Sequence, residues 1–130
     1  MTETAAKIVG VVPYVGVSDA RKAAAFYEKA LGATIVDQRP VEDGRLMHCE
    51  MHINGGTFMI CDPFPEHGHA FVKPAGVTMH LVVDDAQAWW DRAIAAGCTP
   101  TLELHDAFWG DRYGQFSDPF DISWAVVGPK

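Results

Sequence analysis

Two stretches of this chain follow one plan, and that duplication constrains the fold more than any single motif does. Asp19-Ala20 opens one amphipathic segment, and Asp85-Ala86 opens another 66 residues later. Gly32-Ala33 and Gly97-Cys98 close the two segments, 65 residues apart. The apolar runs before them end alike, Val15-Gly16-Val17-Ser18-Asp19 against Leu81-Val82-Val83-Asp84-Asp85. Ala23, Phe26, Tyr27, Ala30 and Leu31 recur at the spacing of one helical face, as do Ala86, Trp89, Trp90, Ala93 and Ile94. Ser18 or Asp19, and Asp84-Asp85, are the residue types that accept hydrogen bonds from free amides at a helix start. Gly32 and Gly97 suit the left-handed residue that ends a helix.

The segments between these helices read as strands. Ile8 to Val17 is Val-rich, although Pro13 has no amide hydrogen to give a ladder. Ala33 to Val41, Arg45 to Ile53 and Thr57 to Cys61 follow, separated by Glu42-Asp43-Gly44 and Asn54-Gly55-Gly56 as hairpin turns. In Arg45 to Ile53, Met47, Cys49, Met51 and Ile53 point one way and His48, Glu50 and His52 the other. The second half repeats the order with Val77 to Val83, Thr99 to Leu104, Arg112 to Phe116 and Ile122 to Val127. Asp118-Pro119-Phe120-Asp121 is the turn of its last hairpin. Each half thus reads βαβββ. The expected class is α+β, a single domain over 1–130, with module 1 at about 7–62, a connection at 63–76 and module 2 at about 77–128. Residues 1–6 are expected to be a loose tail, and the tip of the connection to be mobile, with His67 and His69 incidental.

One helix covers one face of a small sheet and leaves the other open. Two such units side by side make a curved sheet with helices outside and a groove inside, a natural small-molecule site. Composition removes other classes. The net charge of -7 comes with no basic cluster, so nucleic acid is not an expected partner. No apolar run approaches the ~20 residues of a membrane span, and no secretory signal is seen, so the expectation is a cytoplasmic protein away from membranes. Cys49, Cys61 and Cys98 are odd in number and lack metal-type spacing, which fits reduced thiols.

The duplication, the pattern D-A-x-x-A-x-x-F-Y-x-x-x-L-G at Asp19 to Gly32, and W-G-D-R-Y-G followed by D-P-F at Trp109 to Phe120 resemble the glyoxalase/bleomycin-resistance/dioxygenase superfamily, the vicinal oxygen chelate fold, and its PhnB-like group. The resemblance spans nearly the whole chain. It implies a homodimer, and in metal-dependent members it implies four ligand positions. These fall here on Val12, Met59, Thr78 and Ala125, none of which supplies the nitrogen or carboxylate oxygen such a metal takes. The expected protein therefore needs no metal and no cofactor. Asp121-Ile122 stands where relatives commonly have Gly-His; Asp tolerates unusual turn angles, so the turn is expected to survive.

The period of two then places Tyr14 and His80 in the groove, as repeat equivalents. With His48, Glu50, His52, Trp109 and Arg112 they form the expected ligand-binding set. Arg112 contacts the ligand or pairs with Asp111, Asp118 or Asp121. The leading expectation is a binding protein that sequesters an aromatic or cationic molecule, with Trp109 stacking on it. The alternative is a lyase, isomerase or dioxygenase acting through His80, His48 and Glu50, with or without a divalent metal relocated onto His48, Glu50, His52 and His80.

Overall fold

The computed structural model describes residues 8–130, so the expected tail at 1–6 lies outside the described residues. Two four-stranded sheets each carry one helix. The first holds β1 (Tyr14–Gly16), β2 (Thr34–Pro40), β3 (Leu46–Ile53) and β4 (Gly56–Cys61), in the order β1-β4-β3-β2. The second holds β5 (Thr78–Val82), β6 (Thr99–Asp106), β7 (Asp111–Ser117) and β8 (Ser123–Pro129), in the order β5-β8-β7-β6. Helix α1 is Ala20–Leu31 and α2 is Ala86–Ala96. Both modules are βαβββ, and their strand orders are identical.

The helix ends follow from their residues. Asp19 accepts the Lys22 amide at 3.1 Å, and Asp85 accepts the Ala88 amide at 3.0 Å. Gly32 sits at φ +65, the left-handed cap that a residue with a side chain resists. Asp62, buried at the end of β4, binds the Ala20 amide at 2.8 Å and the Leu46 amide at 2.6 Å. One carboxylate thus ties the start of α1 to the start of β3.

A continuous core joins the modules. Tyr27 of α1 packs edge-on against Phe58 of β4 at 5.8 Å and tilts against Trp124 of β8 at 5.7 Å. Arg92 of α2 donates to the carbonyls of Lys29 and Glu28 at 2.9 and 3.3 Å, capping the open end of α1 with positive charge.

Two expectations change. The first strand is three residues long rather than running from Ile8, and Val9 and Val11 are exposed. The two sheets are also separate. Strands β1 and β5 flank a cleft of about 420 Å³, with Val15 and Met79 among its walls, but no ladder joins them into one curved sheet. Just before β1, Pro13 accepts the Met59 amide through its carbonyl and has no amide hydrogen to offer a second strand.

Candidate functional site

Strand β3 supplies the polar face of the first module. His48, Glu50 and His52 alternate with buried Cys49, Met51 and Ile53, as their spacing requires. The Nε2 atoms of His48 and His52 stand 4.0 and 3.7 Å from the two oxygens of Glu50. Tyr14 reaches across β4 to the same group. Its hydroxyl donates to the Met47 carbonyl at 3.2 Å and meets His48 Nδ1 at 3.3 Å. Met47 departs from the expected alternation and is exposed. Arg39 opposes His48 and Pro40 opposes Leu46, so Met47 is the extra residue of a bulge and turns outward.

The second module carries a related group with the residue types exchanged. Met59 lies between Tyr14 and Glu50 across the first sheet, as Ala125 lies between His80 and Gln115 across the second. Glu50 and Gln115 are therefore equivalents, as are His48 and Tyr113 two residues before them. The Tyr14–His48 contact thus has a counterpart in His80–Tyr113, where His80 Nε2 is 3.5 Å from the Tyr113 hydroxyl. Gln115 Nε2 donates to that hydroxyl at 2.8 Å, where the first module has a carboxylate.

Trp109 stacks edge-on against Tyr113 at 5.5 Å and donates its indole hydrogen to Asp111. Arg112 pairs with Asp106 at 3.0 Å, and so takes a partner outside the three named from sequence. Asp106 opposes Arg112 in the β6–β7 ladder, a register that spacing alone does not reveal. At Asp121 the turn persists with φ +69, and the Asp121 amide donates to the Asp118 carbonyl at 3.2 Å.

The metal positions do not assemble a site. Met59 offers a thioether, Ala125 is a buried methyl, and Thr78 pairs its hydroxyl with Ser123 at 3.2 Å. This donor set does not fit a divalent ion. Among the described residues no three His, Cys, Asp or Glu side chains are grouped to hold a metal, so the set His48, Glu50, His52 and His80 is not brought together.

A pocket of about 930 Å³ opens beside Tyr14, walled by the first module and the connection rather than by both modules. Tyr14, Met47 and Cys61 line it from the strands, and Arg45, Phe64 and Glu66 line it from the turn and the connection. Burial, and then Cys61, push the Tyr14 phenol above its ordinary value. Burial likewise raises the Cys61 thiol, against a lowering hydrogen bond from Tyr14. Within the connection, Phe64 and His69 exchange backbone hydrogen bonds of 2.7 and 2.9 Å around a 3-10 turn at Pro65–His67. His67 and His69, expected to be incidental, are among the residues that line the pocket. The rigid Pro63 and Pro65 were the available signal. The contact of Arg45 with Phe64, at 4.2 Å over the ring, had none.

The sequence pattern of the Glyoxalase/Bleomycin resistance protein/Dioxygenase superfamily matches residues 7–126. The chain belongs to this superfamily. Its relatives include the uncharacterized protein Rv0887c of Mycobacterium tuberculosis, 40% identical over 90% of this chain and 72% of that protein. In fold it resembles TnmS3, an antibiotic binding protein from Streptomyces sp. CB03234, at 24% identity and a TM-score of 0.70, covering 95% of this chain and 98% of the other. It also resembles the PhnB protein of Bacillus cereus, at 16% identity and a TM-score of 0.71, covering 92% and 98%. The PhnB-like expectation is met at the level of fold. Superfamily membership carries no substrate with it.

Proposed function

We propose that this superfamily member is a binding protein that sequesters a small aromatic or cationic molecule without using a metal. The carrying observation is the pocket of about 930 Å³ beside Tyr14, a volume suited to a drug-sized molecule. The fold likeness to an antibiotic binding protein supports the reading. Tyr14 takes the stacking role that sequence reasoning assigned to Trp109. Trp109 and Arg112 sit on the other module, where Arg112 is already paired with Asp106. Glu50, His48 and His52 lie outside the pocket lining, on the strand face that Tyr14 joins to it through His48. Screening aromatic amines and neutral aromatics against the full chain by thermal shift tests the reading. Stabilisation by one class, lost in Tyr14→Ala, is the expected result. No stabilisation by any compound would overturn it.

A second reading draws on a specific contact chain. Glu50, His48 and Tyr14 follow one another at 4.0 and 3.3 Å, and Tyr14 ends in the pocket. Glu50 stands near His48 without a direct hydrogen bond, and His48 Nδ1 is within reach of the phenol to exchange a proton with it. An enzyme built this way acts without His80, and loss of turnover in His48→Gln identifies it.

A homodimer is part of the proposal, as the family resemblance implies. Sedimentation at the single-chain mass of 14.2 kDa would contradict it.

A further inference from the structure

Arg45 lies in the pocket wall, yet its guanidinium is turned entirely to the protein's own groups. Nε reaches the two oxygens of Asp43 at 3.2 and 2.9 Å. Nη1 reaches the Pro63 carbonyl at 2.9 Å and Glu66 Oε1 at 3.2 Å. Nη2 pairs with Glu66 Oε2 and, at 2.9 Å, with Asp43. The group also stands 4.2 Å over the Phe64 ring, the face that a ligand cation would seek. Of the other lining carboxylates, Asp62 is occupied by the Ala20 and Leu46 amides, and Glu42 lies outside these bonds.

We infer that Arg45 is the specificity-determining residue of this pocket. By occupying Asp43, Glu66 and the Phe64 face it takes the place of a ligand's cationic group, and it selects aromatic molecules of low positive charge over strongly cationic ones. The inference rests on the pocket being the ligand site, and it narrows that reading to one class. It follows from charge and geometry together. With Arg45 present, the Asp43–Glu66 cage is filled and one of its two negative charges is offset; without it, two carboxylates and an aromatic face are left for a cation. A ligand anion gains little either, because all three guanidinium nitrogens are engaged.

Benzamidine and benzamide are planar aromatics of similar size, one cationic and one neutral. Their affinities for the full chain, by titration calorimetry, test the inference through their ratio. The wild type is expected to bind benzamide at least as well as benzamidine. Arg45→Gln is expected to raise the benzamidine-to-benzamide affinity ratio about 10-fold, the scale of exposing two partly solvated carboxylates and removing one positive charge. Arg45→Lys keeps the positive charge and is expected to stay near the wild-type ratio. Glu66→Gln removes one of the two carboxylates, leaves Arg45 matched by Asp43 alone, and is expected to lower the ratio several-fold; it answers the question even where Arg45→Gln folds poorly. A structural role for Arg45 would weaken both compounds alike. An unchanged ratio in Arg45→Gln and Glu66→Gln, with both compounds still bound, overturns this inference alone. Binding of neither compound to any of the proteins overturns the pocket reading and this inference with it.

Discussion

Tyr27 in the first helix donates its phenolic hydrogen to Asp118, 91 residues further along the chain, at 2.5 Å. The same carboxylate accepts the Trp124 indole hydrogen at 2.8 Å and the amides of Phe120 and Ile122 at 2.7 and 3.1 Å. Asp118 is buried, and four donors satisfy it. Burial, then the charge of Asp118, drive the Tyr27 phenol far above its ordinary value. The contact fastens the helix of one module to the last hairpin of the other. Asp118→Ala leaves the buried hydroxyl, indole and amides without an acceptor and is predicted to destabilise by about 3 kcal/mol. Tyr27→Phe removes one donor and is predicted to lose about 1–2 kcal/mol. Urea unfolding of the two variants measures both, and equal losses would contradict this account.

Gly128 marks the closest backbone approach. A Cβ at this position would stand 2.5 Å from the Val83 carbonyl oxygen, which is backbone and cannot swing aside. Gly128→Ala is predicted to lose about 2–3 kcal/mol, in the range of overpacking. Gly44, which has open space around it but a φ of +92, is the contrast. Gly44→Ala is predicted to lose about 1 kcal/mol through backbone strain alone. Thermal unfolding that ranks Gly44→Ala as the worse variant would refute the packing argument.

Glu66 offers a pH test of the pocket wall. Its hydrogen bonds from Arg45 hold the carboxyl at about 2, below its ordinary 4.5. A depressed acid contributes stability that is fully present above the unfolded value and lost as pH falls through the folded one. The Arg45–Glu66 pair is therefore predicted to persist down the acid range and to break only as pH approaches 2. Carbon-detected NMR titration of Glu66 should show this midpoint, and in Arg45→Gln it should move up towards 4.5. An unmoved midpoint would show that Arg45 is not the cause.

The three thiols differ in access. Burial pushes Cys98 up to about 12, and Cys49 is likewise buried and raised. Cys61 is half-buried and lines the pocket. Iodoacetamide is predicted to label Cys61 several-fold faster than the other two, because its access to the pocket outweighs the raised pKa that burial gives all three thiols. A bound ligand should slow Cys61 specifically. Mass spectrometry of the digested protein reads the order, and protection of Cys98 instead of Cys61 would place the ligand elsewhere.

Much of the fold was legible because its signals are local. Asp19 and Asp85 beside the first helical residues, glycines beyond the last, and an apolar stripe between them specify each helix within a dozen positions. The 66-residue offset then shows one unit built twice. Tyr14 and His80 were correctly paired as repeat equivalents for the same reason: both are counted from a helix cap. The outward face of His48, Glu50 and His52 followed from period two. Met47 defeated that period, since a bulge depends on what the partner strand does.

By itself the sequence determined the two βαβββ units, their caps, their core faces and the absence of metal-ligating side chains at the family's positions. These depend on residue type and short spacing. Tertiary structure decided the rest. It exchanged tyrosine and histidine between the two strand faces, gave Arg112 its partner Asp106, and set Arg45 against Phe64 and Glu66 to wall a pocket within one module. Each of these depends on strand register or on contacts across a turn. Side chains far apart or differently phased in sequence meet there at distances that local patterns do not encode.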